Sequence, residues 1–446
     1  MEQNSSPASD QRRAPFLRVV TASLIGTTIE WYDFFLYGSA AALVFNQVFF
    51  PGSDPLIGTM LAFTTYAVGF VARPLGGLVF GHFGDRIGRK KLLVISLLLM
   101  GGSTFAIGLL PTYAAVGVIA PLLLTLLRVV QGFALGGEWG GAVLLVAEHG
   151  KPRNRGFWAS WPQAGAPGGN LLATAVLAVL AVVMSDAAFL GWGWRIPFLL
   201  SGVLVLIGLW IRLAVSESPV FRDAHERAAA SARPERAPIL GVLRDHWREA
   251  LVAMGVRMAE NVSYYVVTAF ILVYATQEAR MEDGLVLNAV LVASAVHLVS
   301  IPLWGALSDR LGRRPVTAVG AAGAALWVFA FFPLIDVGTF WSVTLAATVG
   351  LVLHGAMYGP QAAFFSELFS TRVRYSGASV GYQLASIVAG GLAPLIATAL
   401  LASFGGSVPI SLYVAAMGAI TLVAVAVSRE TRGRDLREVS VSERSG

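Results

Sequence analysis

Apolar residues run in long blocks separated by short polar segments, near 18–46, 57–80, 92–111, 114–147, 157–184, 192–214, 249–276, 285–307, 315–334, 340–369, 376–402 and 407–428. Each block is long enough for the roughly 20-residue helix that crosses a bilayer's hydrocarbon core, so the pattern predicts twelve membrane-spanning helices. The blocks at 114–147 and 340–369 exceed one upright span and are expected as tilted helices that reach beyond the hydrocarbon. The polar start from Met1 to Pro15 holds no short apolar run with a small-residue cleavage site, which predicts a first span that is retained.

The segments between the blocks differ in charge. Arg12, Arg13 and Arg18 precede the first block; Arg86, Arg89, Lys90 and Lys91 follow the second; Lys151, Arg153 and Arg155 follow the fourth. Arg222, Arg227, Arg233, Arg236 and Arg244 lie in the central link, then come Arg310, Arg313 and Arg314, then Arg372, and last the tail from Arg429 to Arg444. The alternate segments offer almost only Arg195 and Arg280. Cytoplasmic loops carry the Lys and Arg excess, so both termini are expected in the cytoplasm and the number of spans is even. The longest polar stretch, Ser216 to Trp247, separates six blocks from six. It divides the chain into a six-helix half at 1–215, a cytoplasmic link at 216–247 and a second six-helix half with a short tail at 248–446. Pro219 to Ala230 is read as a short amphipathic surface helix.

Composition agrees with a polytopic all-α membrane protein. Of the 446 residues 56% are hydrophobic and only 13% charged, against roughly a quarter charged in soluble domains, and the mean hydropathy is +0.69. The net charge of +6 belongs to the loops, so it points to membrane topology and not to a nucleic-acid partner. The chain has no cysteine, which removes disulfides, thiol nucleophiles and Cys-ligated metals together.

The two halves echo each other. GHFGDRIGRKK at 81–91 recurs as GALSDRLGRRP at 305–315, aligning Gly81 with Gly305, Asp85 with Asp309, Arg86 with Arg310, Gly88 with Gly312 and Arg89 with Arg313. A second echo pairs Glu148, Arg155, Ala159 and Ser160 with Glu367, Arg374, Ala378 and Ser379. Parallel repeats of this kind place two bundles face to face about an axis along the membrane normal, with a binding site near the midplane. An acid such as Asp85 in a tight loop suits the N-terminus of a neighbouring helix, where the macrodipole favours negative charge. Together with the loop arginines it is expected to form a latch that exists in one conformation only.

Ionisable groups inside the spans mark the candidate site, because an acid at membrane depth costs at least about 2.5 kcal/mol on insertion scales and is by default functional. In TTIEWYDFFLYG at 27–38, Glu30, Asp33 and Tyr37 share one helical face. Arg128 lies in the fourth block with Gln131 at helical spacing and Glu138 further on; its natural counter-ion is Asp33 or Glu30. Glycines at 136, 137, 140 and 141 beside Glu138 suggest close helix contact. In the seventh block Arg257, Glu260 or Asn261, and Tyr264 share a face, and Arg257 and Glu260 also suit an intrahelical pair. His354, Tyr358 and Gln361 form a similar face in the tenth block, Gln383 joins from the eleventh, and Trp158, Trp161 and Gln163 line the fifth. Lone histidines, His297 and His354, are read first as hydrogen-bonded interior residues, and Trp192 and Trp194 as interfacial anchors. A fixed arginine facing the cavity suits a substrate carboxylate, whereas an aromatic group without it suits a quaternary ammonium.

The loop at 81–91 resembles the signature of the major facilitator superfamily between its second and third helices, and 305–315 its usual echo between the eighth and ninth. RVVQGFALGGEWGGA at 128–142 is similar to that family's fourth-helix motif in Arg128, Gln131 and Gly132. EWYDFFLYG, GGEWGGA and ESPVF at 217–221 resemble the metabolite:proton symporter group, whose members carry shikimate, oxoglutarate, citrate, proline and betaines. The resemblance implies a major facilitator fold of two six-helix bundles working by alternating access. Likeness to the proton-coupled sugar porters implies an Asp33–Arg128 pair that protonation releases, with Glu30 beside it. The resemblance also implies that Gly81, Asp85, Arg86, Gly88, Arg89, Asp309, Arg310 and Arg313 form the latch.

No Walker loop, metal-ligand cluster or Ser-His-Asp pattern is present in the sequence, so the chain is read as a transporter and not an enzyme, with no cofactor beyond a proton gradient. AGAPGGN at 164–170 does not match the spacing of the Gly-Pro antiporter motif. The expectation is a monomeric secondary transporter of the inner membrane importing an organic acid with a proton. Proline or betaine import is the second reading; drug/proton exchange and metabolite sensing without transport are the rivals.

Overall fold

The structure is a computed structural model that describes residues 7–87, 89–136, 152–214, 246–369 and 374–434, with positions 146 and 244. Among the described residues the chain is helical throughout and forms twelve principal helices. The first six are α1 (Pro7–Leu43), α2 (Pro55–Ile87), α3 (Arg89–Leu109), α4 (Ile119–Leu135), α5 (Arg155–Val183) and α6 (Arg195–Ala214). The last six are α7 (Trp247–Glu278), α8 (Asp283–Leu311), α9 (Arg313–Asp336), α10 (Phe340–Leu368), α11 (374–404) and α12 (Val408–Val427). Eight of these, α2, α5 and α7 to α12, are long and apolar enough to cross a membrane, and α6 with the bent turn at Asp186–Gly193 makes a ninth. The apolar stretches of α3 and α4, Val94–Leu109 and Ile119–Leu135, are shorter, and α1 interrupts its apolar run with Glu30 and Asp33.

Local sequence explains several boundaries. The Asp54 carboxylate accepts the Leu56 N–H at 2.9 Å just ahead of α2, whose first residue is Pro55. Thr339 and Ser342 form a capping box at the start of α10. Gly312, with φ of 112°, turns α8 into α9, and Gly405 in the left-handed region ends α11. The block at 114–147 is not one helix from its start: a short turn at Tyr113–Val116 ends at Gly117 before α4 begins. The tenth block is one 29-residue helix, about 44 Å at 1.5 Å per residue, longer than the hydrocarbon is thick.

Helix α7 lies at the centre, with residues 256–275 all buried. It passes twice into π geometry, at Val266–Phe270 and Tyr274–Glu278, and α11 does so at Ser386–Gly391, irregularities the apolar pattern did not signal. The halves meet where α5 packs on α8 and α10, α2 on α11, and α1 on α7. The outward faces of α3, α6, α9 and α12 expose Leu98, Trp210, Leu326 and Val423, as lipid-facing surfaces do. Trp192 is exposed as an anchor should be; Trp194 instead is buried against Phe45, Phe49 and Phe198. The link at 216–247 falls outside the described residues except for positions 244, 246 and 247.

Candidate substrate and proton site

In the first half, α2 and α4 cross so closely that a Cβ on Gly132 would overlap the Gly69 carbonyl, and one on Gly136 the Arg73 carbonyl. This approach carries Arg128 into an aromatic box, its guanidinium carbon 4.5 Å from the Phe34 ring centre, 4.4 Å from Tyr37 and 4.6 Å from Tyr66. Arg128 donates to Gln131 at 3.0 Å, and Gln131 donates in turn to Thr104 at 2.7 Å. Its Nε and Nη2 have no hydrogen-bond partner among the described residues. Tyr37 closes the box through a 2.5 Å bond with Thr65.

Asp33 is 2% exposed and accepts a 2.5 Å hydrogen bond from Ser201 of α6. The expected Asp33–Arg128 ion pair is not formed. Asp33 turns from α1 toward α3 and α6, while Arg128 lies across the Phe34 and Tyr37 rings on its other side; helical spacing fixed their faces but not which neighbour each would meet. Glu30 is buried one turn before Asp33.

Arg73 of α2 was not anticipated. It is buried, with its guanidinium carbon 4.2 Å from the Phe70 ring and 4.4 Å from Phe34, so the Phe34 ring contacts two guanidiniums. Its Nε and Nη2 also lack partners among the described residues. It lies before Pro74 near the end of its apolar block, and its burial is what distinguishes it.

In the second half, the expected face of α7 meets that of α10. Arg257 Nε stands 3.4 Å from Glu260 Oε2, which confirms the intrahelical proximity, but without hydrogen-bond geometry. Glu260 also receives Gln361 at 3.2 Å and lies 3.2 Å from His354 Nε2; His354 Nδ1 lies 2.8 Å from His297 Nε2 of α8. Arg257 donates Nη2 to Asn261 at 3.1 Å, stacks 3.3 Å over Tyr382 and leaves Nη1 without a partner among the described residues. The Tyr264 ring packs on His354 at 4.7 Å and on Phe35 of α1 at 5.2 Å, and Tyr358 packs on His354 at 5.2 Å. Phe70, Tyr265 and Asn261 surround Gly390, which joins the Arg73 and Arg257 regions.

Other candidates sit elsewhere. Gln163 is buried in α5, and Trp161 is half-buried with its ring 6.0 Å from Phe157, toward the end of the bundle. Gln383 donates to the Gly136 carbonyl at 3.2 Å and so ties α11 to α4 across the halves. At that same end Asp309 accepts the Gly156 and Phe157 N–H groups, at 2.8 and 2.9 Å, capping α5 from the opposite half. Arg313 joins Asp309 at 2.9 Å and Glu367 at 3.1 Å, and Glu367 receives Arg155 of the first half at 2.8 Å. Arg310 does not share this role; its side chain is exposed and its carbonyl accepts Arg432. Gly88 and Glu138 lie outside the described residues, as do the side chains at Gly81, Asp85, Arg86 and Arg89. The opposite end is joined by Gln277 of α7 to Thr59 of α2 at 3.2 Å.

The Major Facilitator Superfamily family model matches residues 23–390. The chain belongs to that superfamily. The inner membrane metabolite transport protein YhjE of Escherichia coli (strain K12) is 43% identical over 441 residues, covering 98% of each chain. The shikimate transporter of the same organism is 43% identical over 392 residues, 87% of this chain and 89% of that one. Its proline/betaine transporter is 33% identical over 428 residues, 94% of this chain and 85% of that one. Among solved structures, the inward open xylose transporter XylE from E. coli superposes with a TM-score of 0.72 over 96% of this chain and 99% of that chain, at 18% identity. That likeness carries the fold: a major facilitator protein of twelve helices in two bundles. As its relatives are transporters, this is a multi-pass membrane transporter of small molecules.

Proposed function

We propose that this transporter imports a small organic acid together with a proton by alternating access. One observation carries the reading: Arg73, Arg128 and Arg257 are buried at the junction of the halves, and each keeps guanidinium N–H groups without a protein acceptor among the described residues. A buried, incompletely paired guanidinium is expensive, and a carboxylate that accepts two of its N–H groups offsets that cost. Glu260 compensates Arg257 in part. An aromatic cage for a quaternary ammonium fits less well, because guanidiniums already cover the faces of Phe34, Tyr37, Tyr66, Phe70 and Tyr382. The substrate class is that of the shikimate relative, a polar monoacid, with di- and tricarboxylates next.

In this reading Tyr37, Gln131, Asn261, Tyr264, Tyr358 and Gln361 shape the site and Asp33 exchanges a proton. The halves at 1–215 and 248–446 rock about it, linked on the cytoplasmic side by 216–247. The Arg313 end faces the cytoplasm of a bacterial inner membrane by the positive-inside rule, and the chain works as a monomer. The test is uptake by purified protein in liposomes under an inside-alkaline gradient, with radiolabelled shikimate, oxoglutarate, citrate, protocatechuate, proline and glycine betaine. Accumulation of an acid that collapses with protonophore supports the reading. Accumulation of betaine or proline alone overturns it, as does binding without flux or substrate-driven proton exchange in the opposite direction.

A further inference from the structure

Asp33 is not the only buried acid between the helices. Glu260 of α7, His354 of α10 and His297 of α8 form an unbroken line: Glu260 Oε1 to His354 Nε2 is 3.2 Å, and His354 Nδ1 to His297 Nε2 is 2.8 Å. The line ends at His297 Nδ1, a buried ring nitrogen with no partner among the described residues. We propose that this line is a proton relay of the second half, and that protonating Glu260 through it frees Arg257 to hold the substrate anion. The proposal deepens the organic-acid reading and rests on it for the identity of the anion.

The tautomers are constrained by the geometry. Against an ionised Glu260, His354 donates from Nε2, its Nδ1 accepts, and His297 therefore donates from Nε2 and keeps Nδ1 as a bare acceptor. A proton arriving at His297 Nδ1 lets the Nε2 proton pass to His354 Nδ1, and the His354 Nε2 proton pass to Glu260 Oε1. One proton enters, two move, and the line ends with a neutral Glu260 and both rings carrying their proton on Nδ1. No net charge is left on either imidazole, which suits a buried position. Arg257, at 3.4 Å from Glu260, then loses its anionic neighbour while keeping its bond to Asn261.

The surroundings fit a polar line in an apolar wall. From α7 the rings are faced by Arg257, Glu260 and Tyr264, and from α10 by Tyr358. Tyr382 of α11 lies under Arg257, and α5 offers Asn170, which donates to Ser294 one turn before His297. Arg257 is the one cation among these groups, and Glu260 stands between it and the histidines.

The direct test needs no substrate. The protein, labelled with 15N-histidine, is placed in nanodiscs, and its two site histidines are assigned among six by His297→Gln and His354→Gln. Across a pH titration both rings are expected to switch from Nε2–H to Nδ1–H at one midpoint, and Glu260→Gln is expected to abolish the joint switch. Rings that titrate separately, or a His354 whose tautomer never changes, overturn the relay. In liposomes with a gradient of one pH unit and no membrane potential, entry of the shikimate anion with two protons, one through Asp33 and one through Glu260, accumulates it about a hundredfold. His297→Gln is expected to cut that ratio to about tenfold while reducing shikimate counterflow far less; equal losses in both assays overturn the coupling role. If the unaltered protein moves no acid, the organic-acid reading falls, and the tautomer titration still decides the relay.

Discussion

Asp309→Asn probes the clasp between the halves, and its effect can be worked out from the contacts. The carboxylate accepts Gly156 N–H on Oδ1 and Phe157 N–H on Oδ2, both from the first turn of α5 in the opposite half. The Arg313 contact lies within one half and survives opening, so it does not count toward the difference. Asparagine keeps one acceptor oxygen and turns an NH2 toward the other donor, losing one hydrogen bond to a charged group, about 1.5–3 kcal/mol. It also loses the charge at a helix N-terminus, worth about 1 kcal/mol at a little-exposed site. The closed arrangement should lose about 3 kcal/mol, roughly a hundredfold in the closed-to-open ratio at this end. The chain has no cysteine, so spin labels at Trp210→Cys and Val427→Cys, both exposed near this end, report a single distance. Double electron–electron resonance should show the longer, open distance gaining population in Asp309→Asn. An unchanged distribution would refute the helix-capping argument, because the two backbone bonds would then contribute nothing that distinguishes the states.

Arg73→Met should raise the KM for an anionic substrate about tenfold to a hundredfold, the loss of hydrogen bonds to a charged group, with uptake kinetics in liposomes as the check. Gly132→Ala should destabilise the fold by about 1–3 kcal/mol or more, since the added methyl overlaps the Gly69 backbone, and a lower Tm in detergent would show it. Glu430, just past α12, gives a pH dependence. Burial pushes its carboxyl up, but the backbone N–H groups of Arg313, Arg432, Arg314 and Thr431 outweigh that and hold it below the ordinary 4.5. Its stabilisation is therefore present above the ordinary value and lost as the pH falls below it through the depressed value. The Tm difference between the unaltered protein and Glu430→Gln should be largest near neutral pH and close in that acidic window; a difference independent of pH would contradict the assignment.

The twelve spans and the two-bundle fold were legible because hydrophobic blocks and loop arginines answer to the bilayer, which acts on each segment separately. The same holds for faces within one helix: Arg257, Glu260 and Asn261 on α7, and His354 and Gln361 on α10, lie together as spacing implied. What spacing could not supply was the partner. Asp33 and Arg128 share a bundle, yet the Phe34 and Tyr37 rings draw the guanidinium away from the carboxylate. His297 looked like a lone interior histidine until α8 met α10, and Arg73 was not singled out at all, because its burial comes from the packing of α2 on its neighbours. An acid at a neighbouring helix N-terminus, the arrangement expected of Asp85, is seen among the described residues at its second-repeat copy Asp309.

The most direct test of the central claim is to record proton and substrate movement together. Liposomes holding the purified protein, in weakly buffered medium without an imposed gradient, receive shikimate outside while an external pH dye and radiolabel uptake are followed in the same sample. Symport of an organic acid requires the external medium to turn alkaline as shikimate enters, in fixed proportion, with both signals lost in Asp33→Asn. Shikimate entry with no alkalinisation, or with acidification, would contradict it.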